Sequence, residues 1–150
     1  MKPEDGPTRL ELRKLSLNRL EEAKCLHNNG FYDSAIYIAG YSIELALKAV
    51  ICKKLSWTHY TPKVLRADTA KVFKAHEFLT LSVLGGVWFK IEKETDTNPI
   101  FKAHWAIISK WSELKRYEAI GSNDKTKSEE FIEAIENPVD GVLTFLKKRW

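Results

Sequence analysis

The sequence predicts an all-α protein, folded as an antiparallel up-and-down bundle of four to five helices in one domain over residues 1–150. Apolar residues recur at helical spacing in five segments, whereas no segment alternates apolar and polar residues as a half-buried strand does. The links between the long segments are short, which favours antiparallel neighbours. With 150 residues and 44% apolar composition, the chain is long enough to bury one core.

The first predicted helix covers residues 8–28. Thr8 precedes it and Glu11 follows three positions later, which is the spacing of a capping box. Arg19 projects from the middle of the expected apolar face of this helix. That face carries Leu12, Leu15, Ala23 and Leu26.

The second predicted helix covers residues 34–55, with Asp33 as its N-cap. It is apolar nearly all round, as expected for the central helix of a bundle. Glu44 and Lys48 interrupt its most apolar stretch, which we therefore expect to fall short of a membrane span. Gly40, in the middle of the helix, costs about 1 kcal/mol relative to alanine, so it predicts close packing against a neighbouring backbone.

A polar and aromatic stripe runs along this second helix. Its members are separated by four, four, three and four positions: Asp33, Tyr37, Tyr41, Glu44 and Lys48. A buried Glu44 is costly unless it is paired, and the expected partners are Lys48, one turn further on, and Arg19 on the facing helix. We interpret this group either as an internal ion pair that fixes helix register or as a polar patch at a ligand or dimer site.

The remainder of the chain is predicted to form shorter elements. Ser128 is expected to cap a helix that starts at Glu129 and is broken at Asn137-Pro138. The other expected elements are helices at 63–68, 76–84, 100–120 and 138–150, and either a strand or a helix at 87–94.

Charge and composition exclude several classes of function. The net charge of +4 permits an acidic partner without indicating nucleic acid. Two basic runs, Lys53-Lys54 and Lys147-Lys148-Arg149, lie at predicted helix C-termini, where the helix dipole accounts for them; an RNA-binding stripe is the alternative. The scattered cysteines and histidines predict neither a disulfide scaffold nor a metal site, and no cofactor is expected.

The N-terminal residues predict the compartment. Charged side chains are spread over residues 1–10 and no apolar stretch occurs there. A secretory signal is therefore not expected, and the predicted location is the cytoplasm.

Three motifs resemble the HEPN family (higher eukaryotes and prokaryotes nucleotide-binding domain). Residues 32–49 resemble the second helix of that family, through the pattern Tyr-Asp-x-Ala-x-Tyr-x-Ala-Gly-Tyr-x-x-Glu-Leu-Ala-Leu-Lys-Ala. His76-Glu77 with Leu79-x-Leu81 resembles the His-Asp-Leu start of the helix that follows. Trp111 with Arg116-Tyr117 resembles a later tryptophan to Arg-Tyr pattern, so the resemblance covers residues 10–150.

The resemblance implies an α-helical bundle that usually pairs with itself, so a homodimer is expected. The family contains metal-independent endoribonucleases, many of them toxins. It also contains non-catalytic modules encoded beside a minimal nucleotidyltransferase, and non-catalytic interaction domains. The expected partner is therefore a nucleotidyltransferase in a toxin–antitoxin or defence system.

The ribonucleases of the family use an Arg-x4–6-His motif, which this sequence lacks. Arg19 and His27 are eight positions apart, Arg66 and His76 are ten apart, and no histidine follows Arg116. Cleavage through a 2′-hydroxyl needs a general base and acid near neutral pH, which histidine supplies best. We therefore expect a non-catalytic binding module. The alternative is a metal-independent endoribonuclease with a degenerate site, in which Arg116 and His76 or His104 converge across a dimer.

The candidate site is a ligand or interface patch with no catalytic residue assigned. His76 is interpreted either as a partly buried structural histidine or as an anion-binding partner of Arg116. A nucleotide or RNA is the weaker of the expected ligands. The patch comprises Arg19, Asp33, Tyr37, Tyr41, Glu44, Lys48, His76, Arg116 and Tyr117.

Overall fold

A computed structural model describes residues 5–150, and within them the chain folds into eight α-helices and one 3-10 helix. The only β pairing among these residues is an isolated bridge between Thr8 and His59. The predicted all-α class is confirmed. In chain order the elements are α1 (Arg9–Asn28), α2 (Tyr32–Lys54), α3 (Ala67–Phe73), α4 (Phe78–Leu84), α5 (Trp88–Thr97), α6 (Pro99–Ile108), the 3-10 helix η1 (Glu113–Tyr117), α7 (Lys125–Glu136) and α8 (Val142–Lys147).

Helix α1 begins as the sequence predicts. The Thr8 side chain accepts a hydrogen bond from the Glu11 amide, and the Glu11 carboxylate accepts one from the Thr8 amide at 2.7 Å. The buried face differs from the predicted one, since Leu15 is 36% exposed while Ser16 is buried. Ser16 Oγ donates to the carbonyl of Ser42 at 2.6 Å, which lets this polar residue face α2. The buried residues of α1 are Leu12, Ser16, Leu20 and Ala23.

Helix α2 is the centre of the bundle, as predicted. More than half of its 23 residues are buried, and it packs against α1, α4, α7, α8 and η1. Full burial of each of its large aliphatic side chains contributes about 1.5–3 kcal/mol relative to exposure. The core it organises includes Ile43, Leu47, Ile51, Leu81, Ile135, Leu143 and Leu146.

The apolar character of α2 reflects its burial. By length and composition it could cross a membrane, with a mean hydropathy of 1.6 over its most apolar stretch. Glu44 and Lys48 were expected to make this stretch too polar to span a membrane, and that expectation is wrong. However, 72% of the stretch is buried inside the bundle, and the core helix of a bundle can have the same length and hydropathy as a membrane span.

Several predicted boundaries in the second half of the chain are wrong. The expected helix at 63–68 forms instead at Ala67–Phe73, because the Leu65 amide closes a turn onto the Pro62 carbonyl. Of the residues expected to form a strand or a helix at 87–94, residues 88–94 lie in α5, so the helical alternative is confirmed. The expected helix at 100–120 ends at Ile108, after which the chain turns and continues as η1.

The last two helices also start at positions other than those predicted. Asp124, rather than Ser128, caps α7, since its carboxylate accepts the amide of Lys127 at 2.8 Å. Ser128 lies buried within α7, and its hydroxyl is 2.9 Å from Nδ1 of His27. The final helix occupies only Val142–Lys147 of the expected range 138–150. The domain limits of residues 1–150 stay a prediction, and residues 1–4, on which part of the signal-peptide expectation rests, lie outside the described residues.

Candidate functional site

The α2 stripe predicted from the sequence is covered by a segment that follows α6. Tyr37, Tyr41 and Lys48 are half-buried, whereas Glu44 is only 3% exposed. Residues 109–124, which include η1, contact the stripe at Tyr37 and Tyr41 and at Asp33, and they reach the neighbouring His76 through Glu113. The site is therefore assembled from α2, the residue before α4 and this later segment.

A two-carboxylate clamp on His76, formed by Glu44 and Glu113, is the most polar part of the site. Nδ1 of His76 lies 3.0 Å from Oε2 of Glu44, and Nε2 lies 3.0 Å from Oε2 of Glu113. Lys48 Nζ donates to the other oxygen of Glu44 at 2.7 Å. The clamp therefore joins α2 to η1 through a histidine with both nitrogens occupied.

The partner expected for Glu44 on the facing helix is wrong. Arg19 forms its ion pair with Glu22 of its own helix, and its side chain is 35% exposed. Glu44 is satisfied instead by Lys48, one turn on, and by His76. The physical reason is that the face of α1 that meets α2 is rotated away from the predicted one, so Arg19 does not reach this carboxylate.

Two tyrosines and a tryptophan form the aromatic part of the stripe. The hydroxyls of Tyr37 and Tyr41 are 3.1 Å apart, and the ring of Tyr41 meets Trp111 edge-on at 5.1 Å. Nε1 of Trp111 donates to the backbone carbonyl of Tyr37 at 3.2 Å, and its ring stacks on Phe78. Burial, followed by the neighbouring Tyr37, raises the pKa of Tyr41. Tyr41 is therefore a neutral hydrogen-bonding group rather than an acid.

Gly40 is explained by this aromatic contact. A Cβ atom at position 40 would lie only 2.0 Å from Nε1 of Trp111. The prediction of a close approach is confirmed, although the neighbour is an indole ring and not a backbone. Trp111 is 5% exposed and seals this part of α2.

Asp33 anchors the loop that follows η1, and it is not the N-cap of α2. The residue at the N-cap is Phe31, which makes no side-chain capping bond. The Asp33 carboxylate accepts the amides of Gly121 at 2.7 Å and Asn123 at 2.8 Å, as well as the Asn123 side chain. These bonds, the one from Gly121 foremost, hold the pKa of Asp33 below its ordinary value. The carboxylate caps a distant loop because α2 begins one residue before it.

Arg116 and Tyr117 form the exposed edge of the site. The Arg116 guanidinium lies over the Tyr117 ring, with Cζ 4.9 Å from the ring centre. Hydrogen bonding to Tyr117, and then to Tyr37, raises the pKa of Arg116. The residue of η1 that contacts His76 is Glu113 and not Arg116. The expected joint binding of an anion by His76 and Arg116 stays a prediction.

Sequence reasoning missed Glu113 as a member of the site. No spacing pattern between residues 109 and 124 indicates a 3-10 helix, and Glu113 lies 37 positions after the histidine that it contacts. One signal in the sequence could have indicated Glu113, because it lies between Trp111 and Arg116-Tyr117, which already belong to a recognised motif. Eight of the nine predicted patch residues lie on the stripe, beside it or on η1, and only Arg19 does not contact this group.

The chemistry available at the site is ionic and aromatic. Among residues 5–150, no group of three histidine, cysteine, aspartate or glutamate side chains could hold a metal ion. A groove of about 860 Å³ lies elsewhere, at the start of α1 beside His59. The arrangement offers hydrogen bonds, charges and aromatic surface for binding.

Comparison with known families and proteins gives one match. A family model described as the HEPN domain matches residues 10–148, which is almost the whole chain. No curated protein and no solved structure matches.

Proposed function

This chain belongs to the HEPN domain family, and we propose that it is a non-catalytic binding module of that family. It acts in the cytoplasm as a homodimer, beside a minimal nucleotidyltransferase in a toxin–antitoxin or defence pair. No membrane partner and no cofactor are part of the proposal. The observation that carries it is the two-carboxylate clamp on His76.

The clamp removes the group that ribonuclease chemistry would need. A general base must present a nitrogen lone pair to the 2′-hydroxyl proton. In His76 each ring nitrogen is 3.0 Å from a carboxylate oxygen, of Glu44 on one side and Glu113 on the other. The two carboxylates also repel a phosphodiester at this position. The site therefore disfavours RNA cleavage on both counts.

The arginine that would hold a phosphate is engaged elsewhere. Arg116 lies against the Tyr117 ring and interacts with the hydroxyl of Tyr37. Of the other histidines, His27 contacts Ser128, and His104 Nδ1 lies 2.8 Å from the Asp140 carbonyl. These contacts support a structural use of the histidines rather than a catalytic one.

Exposed apolar side chains beside the site support a protein partner. Leu114 is 61% exposed, Tyr117 is 74% exposed and Ile120 is fully exposed. Apolar and aromatic groups gathered at one edge of a polar site are typical of protein interfaces. We name these three residues the η1 surface.

The η1 surface also changes the physical basis for a dimer. A central helix that is apolar nearly all round can leave apolar surface in a small bundle for a second copy to cover. None of the apolar residues of α2 is exposed, because α1, α4, α7 and α8 cover them within one protomer. The η1 surface is the part of this region that still offers apolar area to a partner.

A cleavage assay tests the non-catalytic part of the proposal. Purified protein is incubated with structured RNA in the presence of a chelator, beside the variants His76→Ala, His104→Ala and Arg116→Ala and a His59→Ala control. We expect no cleavage by any of them above the buffer blank. Metal-independent cleavage that is lost in Arg116→Ala and in His76→Ala or His104→Ala, but kept in His59→Ala, would overturn the proposal in favour of the degenerate endoribonuclease.

Solution mass and co-expression test the interaction part. We expect a homodimer of twice the 17.3 kDa chain mass, and a stable complex when the protein is co-expressed with a nucleotidyltransferase encoded next to it. Leu114→Glu, on the η1 surface, should weaken the complex with the nucleotidyltransferase. Val139→Glu, at an exposed apolar position in the link between α7 and α8, should not. A monomer that forms no such complex contradicts this part.

A further inference from the structure

A strongly basic groove lies away from the α2 stripe and shares no lining residue with it. The groove has a volume of about 360 Å³ and lies where the end of α2, the turn between α4 and α5, and the end of α8 meet. Among residues 5–150, no acidic side chain lines it. Its cationic lining residues are Lys53, Lys54, Lys90, Lys148 and Arg149.

The groove unites two basic runs that are far apart in the sequence. Lys53-Lys54 ends α2, and Lys148-Arg149 follows α8. Compensation of the helix dipole explains a cation at each of these C-termini. It does not explain Lys90, which lies in the first turn of α5, where the helix dipole disfavours a cation. The gathering of five cations therefore exceeds what helix capping requires.

The lysines of the groove lack acidic partners. Within residues 5–150, no carboxylate lies within ion-pairing distance of Lys53, Lys54, Lys90 or Lys148. Within the same residues, lysines elsewhere such as Lys102 and Lys110 also have no carboxylate within ion-pairing distance, so the groove is distinguished by the gathering of its cations. Arg149 donates to the Phe145 carbonyl at 2.7 Å and interacts electrostatically with Glu94, which does not line the groove. An anionic ligand would relieve the mutual repulsion of these charges.

The glycine turn gives the groove its shape. Gly86 has a φ of +66°, and a Cβ atom there would lie 3.1 Å from Cε of Lys54. A Cβ atom at Gly85 would lie 3.2 Å from Cγ1 of Val50. Gly86 thus lets the Lys54 side chain lie close against the turn, and Gly85 lets the turn lie close to Val50.

We propose that this groove binds a short chain of linked phosphates, as in a pyrophosphate or triphosphate group. Such a group concentrates three or four negative charges within the span of one small cavity, which matches cations that converge from three elements. A nucleic acid backbone spaces its charges one per nucleotide and is held by cations laid out along a track. The convergent arrangement therefore favours the compact phosphate group, carried either by a nucleotide or by free polyphosphate.

Calorimetric titration with inorganic triphosphate tests the proposal. The full chain is titrated at low and at physiological salt, and the same measurement is made for Lys53→Gln/Lys90→Gln. Its control is Lys102→Gln/Lys110→Gln, which removes the same charge from exposed positions of α6 and the link after it, outside the groove. All four lysines are exposed, so both variants should fold, and circular dichroism verifies this.

The expected result is saturable binding that weakens as salt rises. The groove variant should bind roughly tenfold more weakly, which is the scale of losing two exposed charge contacts, while the control stays within about twofold. Stronger binding of a nucleoside triphosphate than of triphosphate would support the proposal and identify the nucleotide as the carrier. Equal weakening in both variants, no saturable binding, or binding of an RNA oligonucleotide but not of triphosphate would overturn it.

Discussion

Replacing Glu44 with leucine should destabilise the protein far more than replacing an acid on its surface. The Glu44 side chain is 4% exposed, and it accepts hydrogen bonds from Lys48 and from His76. Its removal leaves the Lys48 ammonium, 13% exposed, without its acceptor. Breaking a buried ion pair in this way costs about 3–5 kcal/mol.

The expected cost lies at or just below the lower limit of that range, at about 2–3 kcal/mol. Water still reaches His76, whose side chain is 40% exposed and keeps its contact with Glu113. For a chain of this length, such a loss lowers the melting temperature by roughly 5–10 °C. It is a large share of the 5–15 kcal/mol that stabilises a typical domain.

Urea unfolding followed by circular dichroism measures the effect, and a double-mutant cycle with Lys48→Met isolates the coupling. The double variant Glu44→Leu/Lys48→Met removes both charges, so it should be more stable than either single variant, with a coupling of about 1–3 kcal/mol. Glu22→Leu is the control, because its pair with Arg19 is 42% and 35% exposed and should contribute less than about 1 kcal/mol. Additive losses in the cycle, or equal costs for Glu44 and Glu22, would refute the reasoning.

Three further predictions follow from single contacts. Gly40→Ala should lower the free energy of unfolding in urea by about 2 kcal/mol or more and shift the tryptophan emission, because Trp111 must move. A gain in stability from the higher helix propensity of alanine would contradict this prediction. The pKa of Asp33 is lowered in the folded protein, so its carboxylate stabilises the fold above the unfolded-state pKa of about 3.9 and loses this effect as pH falls through the lower folded-state pKa. The difference in unfolding free energy between wild type and Asp33→Asn should therefore shrink in acid. A difference that is independent of pH would contradict this. Burial raises the pKa of the Cys52 thiol to about 11, whereas Cys25 is exposed. A thiol reagent at about pH 8 should therefore label only Cys25 in the folded protein and both cysteines in denaturant. Equal labelling of the two cysteines in the folded protein would contradict this prediction.

The two long helices could be predicted from the sequence because their signals are local. The capping box at Thr8 and Glu11 sets the start of α1, and continuous apolar character identifies α2 as central. The stripe of α2 follows from helical spacing alone. The 3-10 helix could not be predicted in this way, because it is held by contacts with residues tens of positions earlier, such as Trp111 with Gly40.

The errors in the site have the same origin. The partner of Glu44 depends on which face of α1 meets α2, and the observed face includes Ser16, bonded to the Ser42 carbonyl, which the apolar pattern does not indicate. Asp33 is a residue type that favours helix N-caps, yet its carboxylate caps a loop nearly 90 positions later. Polar contacts between distant segments are decided by packing, and a single sequence does not display them.

Residues 109–124, which cover the stripe, also carry the η1 surface. The closing segment is attached to the rest of the protein by Trp111 on Gly40, by Glu113 on His76 and by two loop amides on Asp33. The helix η1 buries no residue of its own, so these attachments, and not a core of its own, hold it in place. A partner that binds the η1 surface binds this same segment. Coupling between two sites is reciprocal, so loosening the clamp should weaken partner binding by the same free energy with which the partner stabilises the clamp.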